Sequence, residues 1–320
     1  MEKTVLYRMT GTSSVLHLLV DGLCVCCLYL MVSSFPISRF LGIFLTYNVL
    51  AFLSQPLTGM LADRMKRKHW LLFASILLLT MAVLVTSVVV SLGTAIGMLI
   101  VAVLLGIGNS LFHVWGGKQV AVTTGNDMRA LGVFVSTGAF GLSIGFVFFS
   151  WPLLYIFLLL ICLLSILYVQ ADNGTGASSD HPDLIKCRFS VLLICLSVIA
   201  LMLAVMLRSF VGEAFSSGIT KSSVIVLLIG AISMLGKMSG GWIARRFGII
   251  PVLVSVVLVV VVCYLMKNHG MTMLLVGLFA VNCTMPVTLY LANVILPGKE
   301  GLAFGLLAAA LIPGYLLATI

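Results

Sequence analysis

The chain has 320 residues, of which 62% are apolar and 8% charged, with a net charge of +9. Soluble domains run near ~45–50% apolar and ~25% charged, and no compact soluble fold has enough polar surface to cover this chain. A soluble enzyme, a secreted disulfide scaffold, a disordered chain and a nucleic-acid binder are thereby set aside.

The apolar residues fall into eleven runs, at roughly 12–33, 40–62, 69–91, 94–116, 130–149, 151–170, 188–209, 222–244, 249–266, 271–295 and 302–320. Each has about the 20 residues that a helix needs to cross a bilayer. The runs are unbroken, as from Leu71 to Val90, whereas a membrane β-barrel alternates apolar and polar residues. The expected fold is all-α, a polytopic helical membrane protein.

In the first run, Asp21 lies about eight residues from the start, or ~12 Å at the helical rise. It is the one acid set well within a run. An ionised carboxylate at that depth is costly and should face a cavity or a partner. His17 precedes it by four residues and shares its helical face, and imidazole titrates near neutrality. The pair reads as a proton-coupling site or as an interhelical contact. Cys24, Cys26 and Cys27 follow, but the eight cysteines of the chain lie mostly in apolar runs. They read as small packers, with no complete ligand set, so no metal and no cofactor is expected.

The second run ends in Gly59-Met60-Leu61-Ala62-Asp63-Arg64-Met65-Lys66-Arg67-Lys68. The fourth carries Asn109 and, near its expected end, His113. The fifth carries Gly132, Gly138, Gly141 and Gly145, whose spacing suits close helix approach. After the sixth comes the polar stretch 171–187, a loop by composition. It divides the chain into residues 1–170 and 188–320.

The seventh run is expected to end at Arg208 near the outer face, with Glu213 beyond it. That reads as a snorkelling anchor, or as an outer gate pair. Lys237 lies within the eighth run, which ends Gly241-Trp242-Ile243-Ala244-Arg245-Arg246-Phe247-Gly248. The tenth carries Asn282, Thr284, Thr288, Tyr290 and Asn293 around Pro286. Such residues are interhelical glue or cavity lining, and Pro286 permits a bend.

Orientation follows from the basic residues. With the N-terminus inside, thirteen fall on the inner side: Lys3, Arg8, Arg64, Lys66, Arg67, Lys68, Lys118, Arg129, Lys186, Arg188, Arg245, Arg246 and Lys299. Four fall outside: Arg39, Arg208, Lys221 and Lys267. This excess predicts a cytoplasmic N-terminus and accounts for the charge without an acidic partner.

The chain also repeats itself. The Gly59 and Gly241 stretches align at an offset of 182 residues, and Asn109, Gly132 and Gly141 align with Asn282, Gly305 and Gly314 at an offset of 173. Parallel repeats of six helices are a common transporter plan.

Gly59 to Lys68 resembles the G-x-L-A-D-R-x-G-R-K signature of the major facilitator superfamily, with Lys66 in place of the second Gly. Gly241 to Gly248 resembles its degenerate second copy, with Arg245 where the first has Asp63. Three further segments resemble the fosmidomycin-resistance branch: His17-Leu18-Leu19-Val20-Asp21, Ser54-Gln55-Pro56 with Gly59, and Gly106 to His113. Val114 and Trp115 depart from that branch, which has Pro and an acid there.

The resemblance implies two pseudo-repeated six-helix halves with a central cavity lined by helices one, four, seven and ten. Against that plan the chain stops one helix short, at Ile320, and reads as truncated. The resemblance also implies a proton-coupled secondary transporter with alternating access, exporting a drug or small organic anion. Asp21, His17 and His113 are the expected proton-coupling residues. Asn109, Asn282, Thr284, Tyr290 and Asn293 are the expected substrate-cavity residues. Gly59, Asp63, Arg64, Arg67, Gly241, Arg245 and Arg246 are the expected cytoplasmic gate. Asp63 is expected against the start of the eleventh helix, where a carboxylate is favoured. The expected partners are a small-molecule substrate, protons and the lipid bilayer, with no nucleic acid, in a monomer in the bacterial inner (plasma) membrane. The alternatives are an importer of a small metabolite, a ten-helix drug/metabolite carrier, an intramembrane enzyme, and a non-transporting sensor or scaffold.

Overall fold

A computed structural model describes residues 2–34, 37–65, 67, 69–173, 190–219 and 222–319, and every regular element among them is helical. Helix α1 is Glu2–Ser34, α2 Ile37–Asn48, α3 Gln55–Arg64, α4 Trp70–Leu92, α5 Ala95–Thr123, α6 Met128–Val147 and α7 Trp151–Asn173. Then follow α8 Val191–Ser217, α9 Ser223–Phe247, α10 Ile249–Leu265, α11 Met271–Asn282, α12 Met285–Ile295, α13 Glu300–Ala309 and α14 Leu311–Thr319. Among the described residues, ten stretches are long and apolar enough to cross a membrane, and α10, with 17 residues, is a shorter apolar helix. The eleven expected runs are therefore all helical.

Several helices outlast their hydrophobic runs. Helix α1 starts ten residues early, and within it the Thr12, Ser13 and Ser14 hydroxyls donate to the Arg8, Met9 and Thr10 carbonyls, which satisfies these polar side chains locally. Helix α5 runs on to Thr123, since Gly117 lets Phe304 pack closely and Lys118 donates to the Ala62 carbonyl at 2.8 Å. Helix α8 runs on to Ser217, with the Ser209 hydroxyl on the Leu311 carbonyl at 2.8 Å. Ala171 to Asn173 complete α7, where Asp172 meets His69 at 3.0 Å. The rest of the expected linker, 174–187, lies outside the described residues.

Three runs are broken. The second bends through a π-helical turn at Val49–Leu53 ahead of Pro56, packed on Gly106 of α5. The tenth breaks between Asn282 and Met285, and a side chain at Gly240 of α9 would strike the Cys283 carbonyl there. The eleventh breaks at Ala310. A proline removes one helical donor, so freed carbonyls at these breaks need close neighbours.

Helix α1 is the enclosed one: Leu16, Val20, Leu23, Cys24 and Leu28 are fully buried. It packs on α6 through glycines, because a Cβ at Gly141 or Gly145 would strike the Leu18 or Gly22 carbonyl. Helices α4, α8 and α10 are peripheral and expose apolar rows such as Val254, Val257, Leu258, Val261 and Leu265. A bilayer is the solvent that suits those rows.

Candidate functional site

The site is built from two one-turn pairs on crossing helices. Helix α1 carries His17 and Asp21, and α5 carries Asn109 and His113. All four are buried. His113 is not at a helix end, since α5 continues ten residues to Thr123, or about 15 Å. Gly138 of α6 makes the room, because a side chain there would strike Asp21 and His17.

The imidazole tautomers follow from their acceptors. His17 Nδ1 lies 2.7 Å from the Phe134 carbonyl, and His113 Nδ1 lies 2.9 Å from the Asn109 carbonyl. A carbonyl only accepts, so both Nδ1 atoms carry hydrogen. The two Nε2 atoms then face each other at 2.8 Å. Two bare lone pairs would repel there, and so would two N–H groups, so the geometry suits one shared proton. Asp21 flanks the pair, 3.3 Å from His17 Nε2 and 3.4 Å from His113 Nε2. Asn109 Nδ2 donates to Asp21 Oδ1 at 3.0 Å. The shared positive charge and the carboxylate cancel.

The sequence led to no expected metal set, yet His17, Asp21 and His113 bring three donor atoms within 4.8 Å of one another. Two nitrogens on one tetrahedral zinc stand about 3.3 Å apart. The 2.8 Å separation is that of an N–H···N bond, so the arrangement fits a proton better than a metal ion.

The expected cavity residues of the tenth run do not gather here. Asn282 turns back to the Leu278 carbonyl of α11, and Thr284, in the break, to the Val281 carbonyl. Asn293 lies at the far end of α12 and donates to Asn126 Oδ1 at 2.8 Å, while Asn126 donates to the Tyr290 carbonyl at 3.2 Å. It thus ties α12 to the α5–α6 loop. Tyr290 is partly buried against the apolar core. Asn126 takes a left-handed φ of 61°, which asparagine tolerates well. The Gly125-Asn126 turn signal was available in the sequence and pointed to it.

At the end of the bundle that carries Arg64, Arg67, Arg245 and Arg246, two helix starts are approached by glycines. A side chain at Gly59 would strike Gly301 at the start of α13, and one at Gly241 would strike Met128 at the start of α6. Asp63 accepts from the Gly301 and Leu302 amides at 3.0 and 2.9 Å, with Lys118 Nζ at 3.3 Å. Arg245 offers no such carboxylate, and α6 is capped by its own Asp127, which accepts from the Arg129 amide at 2.9 Å. Arg64, Arg67, Arg245 and Arg246 are exposed, with Arg67 over Trp70 and Arg246 over Phe247.

Burial opposes the charge on Asp127, but hydrogen bonds from Arg129 outweigh it and hold the carboxyl below its ordinary value. Its stabilisation is therefore present above the unfolded value and is lost as pH falls through the folded one. Replacing Asp127 by Ala should cost about 1 kcal/mol. Melting curves should show that difference at neutral pH and its progressive loss as pH falls below roughly 4.

Arg208 corrects a sequence expectation. Helix α8 continues nine residues past it, so it lies mid-span and not at the outer face. It is 7% exposed and its guanidinium meets the Met285 thioether, not Glu213.

The Major Facilitator Superfamily model matches residues 20–319. No curated protein sequence gives a significant match. Among solved structures, a variant of the E. coli fucose:proton symporter FucP is 13% identical, with TM-score 0.72 over 98% of this chain and 90% of its own. The human organic anion transporter MFSD10 (TETRAN) is 16% identical, with TM-score 0.65 over 97% and 92%. A bacterial homologue of the iron transporter ferroportin, outward-facing, is 13% identical, with TM-score 0.61 over 97% and 91%. At these identities the likeness is one of fold.

Proposed function

Because the chain belongs to the major facilitator superfamily, and is thus a multi-pass membrane protein of transporter fold, we propose that it is a proton-coupled secondary active transporter working by alternating access. The observation that carries this reading is the 2.8 Å approach of His17 Nε2 to His113 Nε2 beside Asp21, a geometry suited to holding one proton. Removing that proton leaves two facing lone pairs and an unbalanced carboxylate inside the bilayer, which is costly. Helices α1 and α5 must then part, or another cation must arrive. Proton release is thereby tied to helix movement.

In this reading residues 1–170 and 188–320 are the two halves that rock about the centre. The basic end is cytoplasmic by the positive-inside rule, and it is closed by Asp63 on the start of α13 and by Asn126 on Asn293. The cargo we assign is a drug or small organic anion and the direction is efflux, in a bacterial inner membrane and as a monomer. The fosmidomycin-resistance resemblance supports the direction. The organic anion carried by MFSD10 supports the cargo class, and the proton coupled by FucP supports the ion. These supports are analogies, since one fold serves many substrates.

The test is proton movement in proteoliposomes, read with a trapped pH dye while organic anions are added. Proton flux opposite to the anion is expected. Flux in the same direction makes the protein an importer, and no flux across a broad panel leaves a sensor or scaffold. Replacing Asp63 by Asn should slow transport about tenfold, because charge-assisted bonds worth roughly 1.5–3 kcal/mol close that end. Substrate affinity should stay unchanged, and an unchanged rate would remove the gating role.

A further inference from the structure

Among the described residues, two cations in the middle of the bundle, Arg208 and Lys237, form no ion pair within salt-bridge distance. Arg208 of α8 is 7% exposed, and among the described residues its guanidinium contacts only the Met285 sulfur of α12. A thioether is a weak acceptor, and a guanidinium has five donors. Lys237 of α9 is partly buried and lies within electrostatic reach of Arg208, Asp21 and His113. Its carbonyl and the Pro286 ring both sit against the spot where Gly132 of α6 lacks a side chain. Four helices therefore meet around these charges.

Asp21, the acid within electrostatic reach of Lys237, and two further acids of the bundle are committed elsewhere. Asp21 balances the histidine pair, Asp63 binds the α13 amides, and Asp127 binds Arg129. Uncompensated cations inside a membrane are costly and mark a pathway for a charged species. The missing charge is negative.

We propose that Arg208 and Lys237 bind the oxyanion head of a small organic anion, with Met285 against its apolar body. This rests on the transporter reading above and adds the residues that select the cargo. The planar guanidinium fork suits two oxygens of a carboxylate or a phosphate group. Lys237 supplies a point charge between that head and the proton-holding histidines. The unbranched Met285 side chain adapts to an apolar group of variable shape. Anion and proton are then held by neighbouring charges, so each senses the other.

The probes are benzoate, phenyl phosphate and neutral benzyl alcohol, added to the purified full chain in detergent at fixed pH. Binding is read by melting temperature and tryptophan fluorescence. Both anions, or one of them, should bind saturably and raise the melting temperature, and benzyl alcohol should not. A preference between the two names the head group. Arg208→Met and Lys237→Met should each weaken the anion about tenfold or more, and Arg208→Lys should keep part of the affinity. Without ligand, Arg208→Met should melt higher than the parent protein, because it removes an unpaired buried charge. A purely structural Arg208 would instead make it melt lower. The proposal is overturned if neither anion binds, if Arg208→Met binds them as the parent does, or if that variant melts lower. Since binding in detergent needs no gradient, loss of proton flux with anion binding intact overturns only the coupling. Flux intact with anion binding lost overturns only this site.

Discussion

Replacing Asp21 by Asn is expected to abolish accumulation driven by a pH gradient, a fall of about a hundredfold or more. The amide keeps the shape of the carboxylate but not its charge. Asn109 still has an acceptor at 3.0 Å, so the local packing survives. The shared proton loses its counter-charge, and breaking a buried pair costs about 3–5 kcal/mol. That corresponds to two or more decades in an equilibrium. Downhill exchange of substrate in the absence of a gradient should persist, because the anion contacts lie on α8 and α9. The measurement is gradient-driven transport against equal-pH exchange in the same proteoliposomes. If the variant still concentrates substrate on a pH gradient, the histidine pair is not the coupling site.

The second large effect is one of folding. Gly141→Val should leave little monodisperse protein, whereas Gly11→Ala in the neighbouring helix should be neutral or slightly stabilising. At Gly141 a Cβ meets the Leu18 backbone, which has no rotamer through which to yield. Overpacking of this kind costs about 3 kcal/mol or more. At Gly11 nothing lies within 4 Å of a new Cβ, and alanine is the better helix former by about 1 kcal/mol. Size-exclusion profiles and melting temperatures of the two variants separate the cases. Equal behaviour would mean that α1 and α6 are not held by the glycine seam.

Hydropathy located the spans well, because a bilayer selects for length and apolarity alone. It misjudged where α5 and α8 end. Lys118 and Arg208 look like terminators in a hydropathy window, yet α5 continues past Lys118, which donates to the Ala62 carbonyl, and α8 continues past Arg208. His17 and Asp21 were legible as a pair because one helical turn separates them. The bond from His17 to His113 was not, since it spans 96 positions and depends on how α1 crosses α5. The placement of the polar residues of the tenth run was hard to read for a related reason. Asn282 and Thr284 satisfy themselves on carbonyls of their own run, and no one-dimensional pattern separates that from a side chain facing a cavity. Gly138 was visible as a packing glycine, but the space it leaves for two titrating side chains was not.

The two glycine approaches at the basic end are alike in shape and unlike in chemistry. Helix α6 brings Asp127 with it, so its capped Arg129 amide stays satisfied wherever it goes. Helix α13 borrows Asp63 from α3, and its own cap position, Lys299, makes no side-chain bond. In the proposed cycle the α6–α9 contact, with Arg129 over Trp242, keeps the Asp127 cap as this end separates and serves as a hinge. The α3–α13 contact must surrender two amides and a buried carboxylate to water and behaves as a latch. Under the proposed cycle opening is then lopsided, and water is expected to enter first along α3.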